Sequence, residues 1–149
     1  MLNLYSQMPF SPSRLDATFF MEKVLKKHLK NNSEILDIGS GGAYLLLLLS
    51  DMTVKLNYLG VDIQPKRFEV DSKHIIKKII KADFLKFRSK RKFDIVTCLW
   101  VLEHIKKDTQ AIENMSNYLK KNSVAIIAVP SVWSWPIEFG RHGFRYYTR

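Results

Sequence analysis

The chain has 149 residues, with 24 lysines and arginines against 14 aspartates and glutamates, a formal net charge of +10. Its 46% hydrophobic and 26% charged residues are those of an ordinary folded domain, long enough to bury a core without staples. A single cysteine, Cys98, excludes a disulfide framework and the usual cysteine-based zinc sites. No apolar run reaches the roughly 18 residues of a spanning helix, and the first residues do not read as a secretion signal, so a cytoplasmic setting is expected.

Apolar residues from Arg14 to Leu29 (Leu15, Phe19, Phe20, Val24, Leu25, Leu29) recur at helical spacing, with lysines on the other face, and Asn31-Asn32 ends that helix. Glu34 to Gly39 then reads as a short buried strand, and Ala43 to Met52, with five successive leucines, as a buried helix. Leu56 to Ile63 is a second strand. Ile75 to Ala82 is β-branched and short, which favours a third, and Phe93 to Val101 is a fourth. A helix from about Lys107 to Lys120 shows Ile112, Met115 and Leu119 on one face, and Ser123 to Val129 is a fifth strand. Strands apolar on both faces that alternate with helices imply an α/β fold with a parallel sheet covered on both sides. Ligands of such sheets sit beyond the carboxyl ends of the strands. A single domain over 1–149 is expected: a helical cap at 1–33, a core at 34–130 and a C-terminal tail at 131–149.

The unusual residues fall at those strand ends. Asp37-Ile38-Gly39-Ser40-Gly41-Gly42-Ala43 follows the first strand; its glycines permit a sharp turn close to a ligand. The dinucleotide fingerprint needs glycine at position 44, where Tyr44 stands, and the phosphate-loop pattern is absent. Asp62 ends the second strand, where a carboxylate can hold two ribose hydroxyls. Asp83, with Phe84 beside it, ends the third, where an acceptor and an aromatic face suit an adenine. Each aspartate alone reads equally as a cap or turn residue. Three at successive strand ends, the first beside a glycine turn, argue for a site.

The segments Ile35–Leu45, Leu59–Pro65, Lys81–Phe87, Lys92–Ile105 and Tyr118–Ser131 resemble, in order, the motifs of class I S-adenosylmethionine-dependent methyltransferases. The resemblance implies a Rossmann-like doubly wound sheet ordered 3-2-1-4-5 and S-adenosyl-L-methionine as cofactor. It implies that Asp37 and the loop Gly39, Ser40, Gly41 contact the methionine part, that Asp62 with Ile63 binds the ribose side, and that Asp83 and Phe84 meet the adenine. Leu99 and Trp100 occupy the family's cofactor-lining position after strand four. Gly42-Ala43 departs from the family's usual small polar residue followed by glycine. His104, in Val101-Leu102-Glu103-His104, is the candidate general base, although in the family this pair more often orients its loop. Trp133, Trp135 and His142 are candidates for an acceptor pocket, Tyr5 and Phe10 for a lid, and Cys98 for inert packing.

Three functions fit these features. A methyltransferase acting on a small molecule, lipid or glycan is favoured by Cys98–Ile105, which lacks the Asn/Asp-Pro-Pro-Tyr turn of base-methylating enzymes. An RNA- or protein-directed enzyme is favoured by the basic charge and by the basic-aromatic tail Arg141–Tyr147, while the nine cations between Lys73 and Lys92 read equally as a track for phosphates or as a solvated surface. A short cofactor-binding module without independent catalysis is the third. Past Pro130 no apolar run supplies the family's terminal antiparallel hairpin, so strand five is expected to form an open edge. A longer chain, or a second copy in a homodimer, would cover it.

Overall fold

The computed structural model describes residues 12–42, 44–66, 70 and 72–130, with side chains described from Thr18 onward. Three helices, α1 (Pro12–His28), α2 (Tyr44–Ser50) and α3 (Asp108–Tyr118), accompany five strands: β1 (Ser33–Ile38), β2 (Leu56–Asp62), β3 (Ile75–Lys81), β4 (Phe93–Leu99) and β5 (Leu119–Ala128). The sheet order is β3-β2-β1-β4-β5, and each neighbouring pair is parallel. The α/β fold and the strand order expected from the sequence are therefore present.

The layering of helices on both faces of the sheet follows from where the apolar residues point. Side chains alternate along a strand, so Ile35 of β1 faces one layer while Leu36 and Ile38 face the other. The first layer buries Met21 and Leu25 of α1 and Leu45, Leu46, Leu48 and Leu49 of α2 on Ile35, Tyr58 and Ile95. The second buries Ala111, Met115 and Tyr118 of α3 on Leu36, Val61, Phe93 and Val96. Each fully buried leucine or isoleucine contributes about 1.5–3 kcal/mol, so neither face of the central strands can be left open to water.

Element ends lie within four residues of their expected places, and β2, β3 and β4 start where expected. The largest difference is β5, which starts at Leu119 rather than Ser123. Phe93 pairs with Leu119 but Ile95 with Val124, so the register shifts and Lys120 to Ser123 bulge opposite Asp94. Lys120 Nζ donates to Asp94 Oδ2 at 2.8 Å across that bulge. Nor is β5 apolar on both faces in its setting: Ile126 is its only buried residue and Ile127 is 41% exposed. The expected missing hairpin and the open edge depend on residues 131–149, which lie outside the described residues. Among the described residues no helix is long and apolar enough to cross a membrane.

Candidate functional site

The carboxyl ends of β1, β2, β3 and β4 border a cleft of about 540 Å³, within the range of small-molecule sites. Of the expected residues, Gly39, Asp62, Ile63, Asp83, Phe84 and His104 line it. Ile38, Val61, Gln64, Leu85, Val101 and Lys106 also line it and were not anticipated.

The glycine turn is held from below and from the side. Gly39 N–H donates to the Val61 carbonyl at 2.8 Å, and its φ of +70° suits glycine. A Cβ there would lie 2.1 Å from Val101 Cγ2, so the loop after β4 packs directly on this backbone. Asp62 grips the turn: its Oδ2 accepts from Gly41 N–H and its Oδ1 from Gln64 N–H, both at 2.7 Å. Each oxygen retains a further lone pair. Ile63, next in the chain, is 64% exposed on the cleft. Asp83 Oδ1 accepts from Leu85 N–H at 2.9 Å in a local turn that fixes the carboxylate at the end of β3.

Other expected residues fall elsewhere. Asp37 lies beneath the glycine turn, 3% exposed, its Oδ2 accepting from Tyr58 Oη at 2.6 Å and its Oδ1 from Thr97 Oγ1 at 2.7 Å. Burial raises its carboxyl to about 6, against the two hydrogen bonds that stabilise the charged form; the Asp62 charge adds to the rise. Ser40 is buried against Gly60 rather than turned to the cleft. Phe84 is 5% exposed and its ring lies tilted on Tyr118, 6.1 Å between centroids. It therefore presents an apolar wall and not an open stacking face; the exposed large apolar side chain on the cleft is Ile63.

Leu99 is drawn into the core, and Trp100 does not reach the cleft. A left-handed backbone at Trp100 (φ +54°) turns its ring edge-on to Tyr44, 5.2 Å between centroids. Cys98 is buried; burial first, then the Asp37 and Glu103 charges, push its thiol up to about 12, as expected of packing rather than chemistry. His104 ends a 3-10 turn, Leu102–His104, with Nε2 3.9 Å from Glu103 Oε1 and about half of its side chain exposed on the cleft. Tyr5, Phe10, Ala43, Trp133, Trp135, His142 and the Arg141–Tyr147 tail lie outside the described residues.

A parallel doubly wound sheet with a glycine turn after β1 and a carboxylate ending β2 defines the class of α/β domains that bind a nucleoside-bearing cofactor at the strand ends. Residues 15–148 match the family described as a methyltransferase domain, and the chain belongs to that family. A ubiquinone biosynthesis O-methyltransferase of Pelagibacter ubique is 31% identical over 134 residues, covering 80% of this chain and 53% of that protein. One of the same description from Rickettsia akari is 28% identical over 125 residues, covering 79% and 48%. The chain thus spans about half the length of the curated relatives it matches. Among solved structures, the plantazolicin methyltransferase BpumL with S-adenosylhomocysteine (SAH) and a desmethylplantazolicin analogue superposes with a TM-score of 0.67 at 20% identity, covering 85% of this chain and 50% of that one. The sugar N-methyltransferase KedS8 from Streptoalloteichus gives 0.56 at 19%, covering 76% and 47%. At these identities the likeness concerns the fold.

Proposed function

We propose that this chain binds S-adenosylmethionine in the cleft and takes part in transferring its methyl group to a small-molecule acceptor. The observation that carries the reading is Asp62: it ends β2, clasps the glycine turn, and still offers a lone pair on each oxygen to the cleft. Two vicinal hydroxyls of a ribose match that pair of acceptors. Ile63 and the Phe84 wall give the adenine an apolar slot, with Asp83 as acceptor for its amino group. Family membership and the relatives named as ubiquinone biosynthesis O-methyltransferases support both the cofactor and a small-molecule acceptor, with lipid and glycan acceptors in the same class.

When bound, the cofactor supplies a methyl group already activated on a sulfonium, so the protein's work is chiefly orientation. Asp62 fixes the ribose, and the glycine turn lets backbone approach the rest of the ligand without side-chain obstruction. Asp37 supplies a buried negative charge under that turn, which favours the ligand's ammonium. His104 borders the same cleft as Asp83 and Lys106; we assign it to lining the cofactor site first, with uptake of the acceptor's proton as its second role.

Calorimetry with SAH tests the reading. Wild-type protein should bind saturably, and Asp62→Ala should bind about 10- to 100-fold more weakly, the cost of hydrogen bonds to a charged group. An unchanged dissociation constant in a folded Asp62→Ala protein overturns the assignment. NADH should give no saturable signal over the same range.

A further inference from the structure

Two side chains beneath the glycine turn have no part in the reading above. Register sets Asp37 of β1 opposite Gly60 on β2 and opposite Thr97 on β4. Thr97 is fully buried in a strand otherwise apolar at its buried positions, and its hydroxyl donates to Asp37 Oδ1. Tyr58, also buried, stands on the same face of β2 as Gly60, two residues earlier. A Cβ on Gly60 would sit 3.2 Å from Tyr58 Cε1 and 2.7 Å from Ser40 Oγ. The missing side chain is the gap through which the Tyr58 ring reaches Asp37 Oδ2 and into which Ser40 of the turn settles. One carboxylate is thus clamped from both neighbouring strands, directly under the loop that meets the ligand.

We propose that Tyr58 and Thr97 are a positioning pair for the cofactor site, holding Asp37 ionised and oriented so that the glycine turn presents a fixed negative charge to a cationic ligand. The proposal rests on the cofactor reading, because the ligand's ammonium is what such a charge would serve. Neither side chain touches the ligand; both act through Asp37. Tyr58 from β2 and Thr97 from β4 contact the carboxylate, and Asp62 at the end of β2 and Cys98 of β4 are the other titratable groups within electrostatic reach of it. Of these, Tyr58 and Cys98 are held neutral by burial near Asp37, so Asp37 and Asp62 are the charged members. Each hydroxyl removed withdraws a bond that favours the charged form, so the carboxyl should take up its proton at a higher pH.

A merely structural pair would lower stability at every pH and leave the pH profile of binding in place. A positioning pair shifts that profile. Calorimetry with SAH from about pH 5 to 8 should show wild-type affinity falling as the pH drops through about 6, where Asp37 is protonated. Tyr58→Phe should move that midpoint upward by about one pH unit, the equivalent of one hydrogen bond to a charge. If Tyr58→Phe does not fold, Thr97→Val removes the other donor to the same carboxylate and carries the same expectation. Carbon-13 NMR of the Asp37 carboxyl in ligand-free protein should show the same upward shift. A folded variant that binds SAH with the wild-type midpoint overturns the positioning role and leaves the cofactor reading intact. Failure of wild-type protein to bind SAH at any of these pH values overturns both.

Discussion

Asp37 concentrates the tension between stability and function in this molecule. Its carboxyl is raised from 3.8 to about 6 because burial disfavours the charge more than two hydrogen bonds favour it. The unfolded chain therefore releases the proton at lower pH than the fold does. Asp37's contribution to stability is present below about 3.8 and is lost as the pH rises through about 6, a change on the order of 3 kcal/mol by linkage. Denaturant melts should show this part of the stability falling between about pH 4 and 7, and Asp37→Asn should flatten it. A wild-type profile that Asp37→Asn leaves unchanged would show that the carboxylate is not desolvated. At this scale the strand-end aspartates were legible because a charge that ends an apolar strand is conspicuous. Tyr58 and Thr97 had a signal too, as polar residues inside Leu56–Asp62 and Phe93–Leu99, but a hydroxyl's partner depends on strand register, which composition does not carry. The inward packing of Leu99 and Trp100 had no signal in the sequence, because a strand-end position does not fix side-chain direction. The left-handed φ at Trp100 turns its ring to Tyr44.

Strands β1, β2 and β4 were legible as elements because both of their faces are largely buried, which writes short, mostly apolar segments into the chain. Edge strands carry a weaker signature. β3 alternates isoleucines and lysines in pairs, and the start of β5 is hidden in Lys120–Asn122, whose place is set by the bulge opposite Asp94 rather than by hydrophobicity. The junction between α3 and β5 depends on Tyr118, whose ring meets Phe84, Phe87 and Phe93 and whose hydroxyl donates to the Phe87 carbonyl at 2.9 Å. Tyr118 thereby ties α3 to the turn that carries Asp83 and Phe84. Tyr118→Ala should destabilise by about 3–5 kcal/mol through loss of packing, and Tyr118→Phe by about 1 kcal/mol through the lost hydrogen bond. Chemical denaturation measures both; equal losses for the two variants would mean that the hydroxyl, not the ring, holds this junction.

The whole molecule combines a specific cleft with a diffuse positive surface, and the two belong to different physics. All nine cations between Lys73 and Lys92 are exposed, along β3 and the connection to β4. Several are already engaged with the protein: Lys77 with the Val70 carbonyl, Arg88 with the Leu85 and Phe87 carbonyls, Arg91 with Glu34, and Lys92 with the Asn117 carbonyl. Such charges attract polyanions without reading them, since the attraction comes from released counterions. A labelled oligonucleotide should therefore bind at low salt and lose most of its affinity between about 50 and 200 mM, the signature of phosphate contact without base recognition. Asp62→Ala should leave that binding unchanged, because the carboxylate lies in the cleft and not among these cations. Saturating SAH should likewise leave it unchanged. Binding that survives the higher salt and responds to SAH would make nucleic acid the acceptor and displace the small-molecule reading. Salt-labile binding indifferent to the cleft assigns the charge of +10 to the surface alone.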